Sequence, residues 1–216
     1  MEKIDKMYEK FNGSYFAFIG TGISLLSVFV AIFLFMIDVP NFSFITHYIS
    51  DLGDGKNGSN VVFNIGRILS GIVLPFFYLN LMRYLQKNNG KKISTLLGFV
   101  SCLIAATGSI LVGIYPSQTA PRIHGYAAAM AFTGMFLTLI FFSRSESSIP
   151  EIPKVHSMSG FIIAPLPIVF MTFYILMNSI GFSREITLFF EWLTFFTMMA
   201  WVIMQGMYMF KLNKNK

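Results

Sequence analysis

The stretch His47-Tyr48-Ile49-Ser50-Asp51-Leu52-Gly53, with Asp54 behind it, gathers an imidazole, a hydroxyl and two carboxylates in a chain only 12% charged. These residue types fit three chemistries. In the first, Ser50 or a bound water acts as nucleophile, His47 or His124 as general base, and Asp51 orients the imidazole. In the second, His47, Asp51, His124 and Glu191 hold a divalent metal that activates water, although no His-Glu-x-x-His or comparable ligand motif is present. In the third no bond is made or broken. Arg67 offers a positive fork to a lipid phosphate, with Asp54, Asn64 and Glu191 completing a head-group site and the glycines at 53, 55 and 58 letting backbone amides approach. A Ser-Asp pair is also a common local cap at a helix start, and that structural role competes with all three.

The elements that must position these residues are membrane helices. With 55% hydrophobic residues over 216 positions, the chain stands far from a soluble composition, and its apolar residues fall into runs long enough to cross a bilayer. Six spans are predicted, at about 15–37, 61–85, 93–115, 123–143, 157–178 and 185–210, forming one all-α domain with no internal repeat. A mixed-charge segment, Met1 to Gly13, is expected to form a short interfacial helix. Gly20, Ser24, Ser27 and Ala31 supply a small-residue packing face on the first span, and Ala127 to Gly134 supply another on the fourth. Pro75 is expected to kink the second span, and Pro165 with Pro167 to distort the fifth. Cys102 is the single cysteine, so no intramolecular disulfide forms.

An even number of spans puts both termini on one side, and the basic residues say which. Of 16 Lys and Arg, Arg67 lies within a span and only Lys56, Arg122 and Arg184 lie in the loops opposite the termini. The other twelve, Lys3, Lys91, Lys92 and Lys216 among them, flank the terminal side. The positive-inside rule therefore predicts cytoplasmic termini in a cell membrane. The same distribution argues against a nucleic-acid surface, because the basic residues sit in short clusters beside apolar runs. It also sorts the unusual polar residues. His47, Ser50, Asp51, Asp54, Asn64, Arg67, His124 and Glu191 all fall toward the extracytoplasmic side, and His156 is left as an ordinary loop residue on the other. Arg67 and Glu191 enter their spans to comparable depth, and an unpaired charge there is costly, which predicts an Arg67–Glu191 ion pair.

Short motifs carry a family resemblance. Ile49-Ser50-Asp51-Leu52-Gly53, then Phe63-Asn64-Ile65-Gly66, Val112-Gly113-Ile114-Tyr115 with His124-Gly125, and Glu191-Trp192 resemble, in order and placement, motifs of the DRAM (damage-regulated autophagy modulator), Frag and Sfk membrane proteins and their prokaryotic six-span relatives of unknown function. The proline that often precedes the Ile-Ser-Asp motif is absent here. The resemblance implies six helices and a polar site on the extracytoplasmic or luminal side. Branches of that family are linked to remodelling of glycosylphosphatidylinositol anchors, to autophagy and to phosphoinositide signalling, which share membrane lipid rather than one reaction.

The reading that emerges is a multi-pass membrane protein whose extracytoplasmic site binds lipid head groups without catalysis. A lipid-modifying hydrolase or acyl transferase is the alternative. Membrane lipids are the expected partners. The sequence leaves cofactor, oligomeric state and lipid class open, the divalent metal included.

Overall fold

The computed structural model describes Tyr8 and residues 11–214, with backbone alone at 213 and 214. Most of the expected interfacial helix over residues 1–13 lies outside the described residues, as do the side chains of Lys3, Lys6, Lys10, Lys214 and Lys216. The chain is helical throughout: α1 Ser14–Phe35, a 3₁₀ helix Ile49–Asp54, α2 Ser59–Lys87, α3 Lys92–Ile114, α4 Pro121–Glu146, α5 Lys154–Ile163, α6 Pro165–Ile180 and α7 Arg184–Lys214. No strand occurs among the described residues. Among the described residues six spans are long and apolar enough to cross a membrane, α5 and α6 together forming the fifth, Lys154–Ile180. In hydrocarbon only structures that satisfy their backbone internally can span, and a helix does so within each apolar run.

Neighbouring spans pack in sequence order, α1 on α2, α2 on α3, α3 on α4, and α7 returns against α1 to close a ring. Small residues set how closely the members approach. Gly20, Ser24, Ser27 and Ala31 of α1 are all buried, and Gly66 of α2 meets Ser27. Between α3 and α4 the backbones themselves touch. A Cβ on Gly108 would stand 2.6 Å from the Ala127 carbonyl oxygen, and one on Gly134 would stand 2.5 Å from the Ala105 nitrogen. Lipid tails offer no hydrophobic drive toward association, so such close contact is what holds spans together.

The prolines act differently from one another. α2 runs unbroken through Pro75, so the expected kink does not interrupt the helix. The fifth span does break, at Ala164, where Pro165 and Pro167 open the next helix. At the other end of α6, Gly181 takes a left-handed conformation (φ 73°) and stops the helix.

Close α3–α4 contact makes a direct prediction. Gly108→Val should destabilise the bundle by about 1 to 3 kcal/mol through overpacking. Gly22→Ala, where nothing lies within 4 Å, should be neutral or slightly stabilising. Thermal unfolding of the detergent-purified protein checks both.

Candidate functional site

Between α1 and α2 the chain does not simply turn around. The 3₁₀ helix Ile49–Asp54 tucks in against α2, with Ile49, Leu52 and Gly53 buried. A 3₁₀ segment this short leaves backbone donors and acceptors unpaired at both ends, and burial makes each of them expensive. Side chains from two helices, together with Asp51 of the segment itself, supply the partners. Glu191 Oε2 accepts the Ile49 amide at 3.0 Å, and the Trp192 indole N–H donates to the His47 carbonyl at 2.9 Å. From α2, the Ser59 hydroxyl donates to the Leu52 carbonyl at 2.9 Å and the Asn64 amide to the Gly53 carbonyl at 3.0 Å. Asp51 closes the segment on itself, taking the Tyr48 amide at 2.8 Å. Asp54 ties it to the α3–α4 loop, accepting the Ser117 hydroxyl at 2.6 Å and the Ser117 and Gln118 amides at 3.1 and 3.2 Å.

Much of the polar inventory is therefore structural. Asn64 and Asp54 are tethers, and Asp51 rather than Ser50 is the local cap. The atoms left free are more informative. Among the described residues, neither the Ser50 hydroxyl nor the Arg67 guanidinium has a hydrogen-bond partner within the chain, and Asp51 and Glu191 each engage only one carboxylate oxygen. His124 Nδ1 lies 2.9 Å from the Tyr115 carbonyl. Because a carbonyl only accepts, Nδ1 carries the proton and Nε2 is the basic nitrogen of the neutral ring.

These free groups line two adjoining cavities. An inner one of about 120 Å³ is bordered by Ser50, Arg67, His124 and Glu191 at one end and runs between the spans to Tyr78, Cys102 and Val202. Small side chains, Gly71, Ala105 and Ala131 among them, leave that space open. An outer one of about 510 Å³, within the usual range of ligand sites, is bordered by Tyr48, Asp51, Arg184 and Tyr174. Ser50, His124, Ala128, Phe132 and Glu191 belong to both. The outer cavity reaches the surface between α4 and α6, where Tyr174 and Ile175 are 45% and 61% exposed.

Ser50, Asp51, Arg67, His124 and Glu191 are thus gathered around connected space, and His47 is not. Its ring stacks on Phe42 with centroids 5.5 Å apart, and its Nδ1 meets the Thr46 hydroxyl at 2.8 Å. The 3₁₀ helix begins at Ile49, after His47, so the two do not share a helical face with Asp51. The expected Arg67–Glu191 ion pair is not formed. The two charges interact electrostatically across the inner cavity, but no N–O contact within 4.0 Å joins them, because Glu191 turns toward the Ile49 amide. Nor do His47, Asp51, His124 and Glu191 converge as ligands. Among the described residues no three His, Cys, Asp or Glu stand close enough to share a metal.

Sequence reasoning missed Tyr48 and Arg184. The Arg184 guanidinium lies 5.6 Å from the Tyr48 ring centre and borders the outer cavity. Charge at a span start was legible, but its position over an aromatic ring depends on tertiary packing. A second buried polar pair also went unseen. At the opposite end of the bundle Gln205 donates to Glu146 at 3.2 Å, with both side chains buried. Nearby, His156 proves to be a residue of α5 whose ring packs on Tyr208, centroids 4.5 Å apart.

A family model described as a protein of unknown function (DUF998) matches residues 19–208. It carries no link to the DRAM, Frag and Sfk proteins, and is consistent with relatives of unknown function. No curated protein and no solved structure matches the chain.

Burial raises two ionisable groups at the start of the 3₁₀ helix, Tyr48 just before it and Asp51 within it. The Tyr48 phenol is pushed up to about 12, chiefly by burial with Glu191 adding to it, and stays neutral. The Asp51 carboxyl is raised above 3.8, burial outweighing the Tyr48 amide, His47 and Arg184. A raised acid binds its proton more tightly when folded, so its ionisation costs stability as pH climbs from 3.8 through the folded value, and the cost is constant above that. Asp51→Asn keeps a carbonyl acceptor for the Tyr48 amide and lacks that cost. The mutant should therefore gain stability relative to wild type as pH rises from about 3.8 and hold that gain above the folded value, read as the difference in melting temperature at each pH.

Proposed function

The chain belongs to the DUF998 family of proteins of unknown function, and from that premise we propose that it binds a membrane amphiphile, head group at the polar junction of the two cavities and chain in the inner one. The observation that carries this is Arg67. A guanidinium held among apolar spans without a protein partner is costly, and an anionic guest supplies the missing partner with charge-assisted hydrogen bonds. From Arg67 inward the cavity wall is mainly aliphatic and aromatic, as a hydrocarbon chain requires. The opening between α4 and α6 supports entry from the bilayer rather than from water.

In this reading the 3₁₀ helix lies on the extracytoplasmic side of the cell membrane and both termini are cytoplasmic, supported by the basic residues that flank the terminal side. Cys102, the only cysteine, is buried, so single reporters are simple to introduce. In intact cells a membrane-impermeant maleimide should label Lys56→Cys and leave Lys91→Cys unlabelled until lysis. The reverse pattern overturns the orientation.

Binding is tested by native mass spectrometry of the purified protein. Wild type should carry co-purified lipid, and Arg67→Gln should lose about 1.5 to 3 kcal/mol of binding, the value of a hydrogen bond to a charged group. Equal lipid retention by both would refute the reading. One observation favours a second reading as a hydrolase or acyl transferase: the free Ser50 hydroxyl and the basic Nε2 of His124 face the same space. If wild type converts added lipid and Ser50→Ala does not, the site is an enzyme.

A further inference from the structure

Resting on that amphiphile reading, we propose that the guest is a single-chain zwitterionic phospholipid, its phosphate on Arg67 and its primary ammonium in the outer cavity. Four observations agree on this.

The first is hydrogen-bonding polarity. Beside the Arg184 guanidinium, the groups left free at the outer cavity include four that accept or can accept: the second oxygens of Asp51 and Glu191, the Ser50 hydroxyl and His124 Nε2. These acceptors suit a primary ammonium, which brings three N–H donors. The second is aromatic. Tyr48 and Tyr174 meet edge to face, centroids 6.3 Å apart, on the wall of the same cavity. Arg184 already lies over Tyr48, so a cation is at home beside these rings.

The third is charge balance. The two carboxylic acids lining the cavities, Asp51 and Glu191, are equalled in number by two guanidiniums, Arg67 and Arg184. A guest of zero net charge leaves that balance intact. A lone phosphate or a lone amine would disturb it inside a poorly solvated site. The fourth is order along the cavity. Asp51 lies in the 3₁₀ helix at the bundle end, Arg67 lies eight residues, about 12 Å, past the start of α2 at Ser59, and the apolar wall follows. Ammonium, phosphate and chain come in the same order in a lysophospholipid. At about 120 Å³ the inner cavity leaves no room for two chains side by side.

The test titrates full-length purified protein with palmitate and with palmitoyl lysophospholipids bearing ethanolamine, choline, glycerol or no head-group alcohol. Wild type should prefer the ethanolamine lipid to the glycerol lipid by about tenfold, ~1.4 kcal/mol, and to the choline lipid as well. Asp51→Asn should erase the preference over glycerol while lysophosphatidic acid still binds, and Arg67→Gln should weaken every phospholipid. Tyr174→Leu, whose side chain holds none of the bonds of the 3₁₀ segment, should reduce the same preference and guards against misfolding of the Asp51 variant. Equal affinity across head groups in wild type, or an unchanged preference in both Asp51→Asn and Tyr174→Leu, overturns the zwitterion assignment and leaves the amphiphile reading standing. Choline bound as tightly as ethanolamine overturns the primary ammonium. If wild type binds none of these lipids, the amphiphile reading itself fails.

Discussion

An irregular piece of backbone set among membrane-spanning helices must have its polar groups answered by protein, since lipid answers none. The 3₁₀ helix of this chain meets that requirement with side chains from outside itself. Glu191 and Trp192 reach it from α7, Ser59 and Asn64 from α2, and the α3–α4 loop grips it through Asp54. Removing Glu191 strands the buried Ile49 amide. The spans α7 and α2 are thereby cross-linked through a segment that belongs to neither, and the cavities lie between that segment and α4.

Seen from this constraint, the short motifs have a common logic. Asn64 of Phe-Asn-Ile-Gly holds Gly53 of Ile-Ser-Asp-Leu-Gly, Glu191 holds its first residue, Ile49, and Trp192 holds His47 just upstream. Tyr115 and His124, nine residues apart in sequence, are joined directly by the imidazole–carbonyl bond. Words scattered over most of the chain are thus the contacts of one substructure. Polarity at these positions is required by unpaired backbone, and only the atoms left over are available to a guest.

That division explains what the sequence could and could not reveal. The six spans were legible because crossing hydrocarbon demands long apolar runs, and the break of the fifth because Pro165 and Pro167 cannot continue a ladder. The gathering of Ser50, Asp51, Arg67, His124 and Glu191 at one end followed from membrane topology. What topology does not encode is which partner each side chain chooses. Glu191 looked like the counter-ion of Arg67 because both were charged and level. The competing demand came from the Ile49 amide, visible only once the loop between α1 and α2 folds inward. His47 looked catalytic by type, yet its neighbours Phe42 and Phe35 claim the ring. The Glu146–Gln205 pair escaped because the residues around Arg144 read as a plain polar connection, whereas α4 extends to Glu146 and buries it.

The break at Ala164 has a mechanical side. Proline carries no amide hydrogen, so the Phe161 and Ile163 carbonyls, four residues before Pro165 and Pro167, have no intrahelical donor to lose when the two halves of the fifth span bend. α5 is fastened: Gly160 sits against Ser143, and the Ser159 hydroxyl receives the Trp201 indole. α6 buries only Pro167 and Phe170. The span is a stiff lower strut with a compliant upper arm. Since that arm carries Phe170, Tyr174 and Ile175 at the edge of the outer cavity, and its Met177 sulfur receives the Tyr48 hydroxyl, bending at the joint would move the rim of the opening and the start of the 3₁₀ helix together.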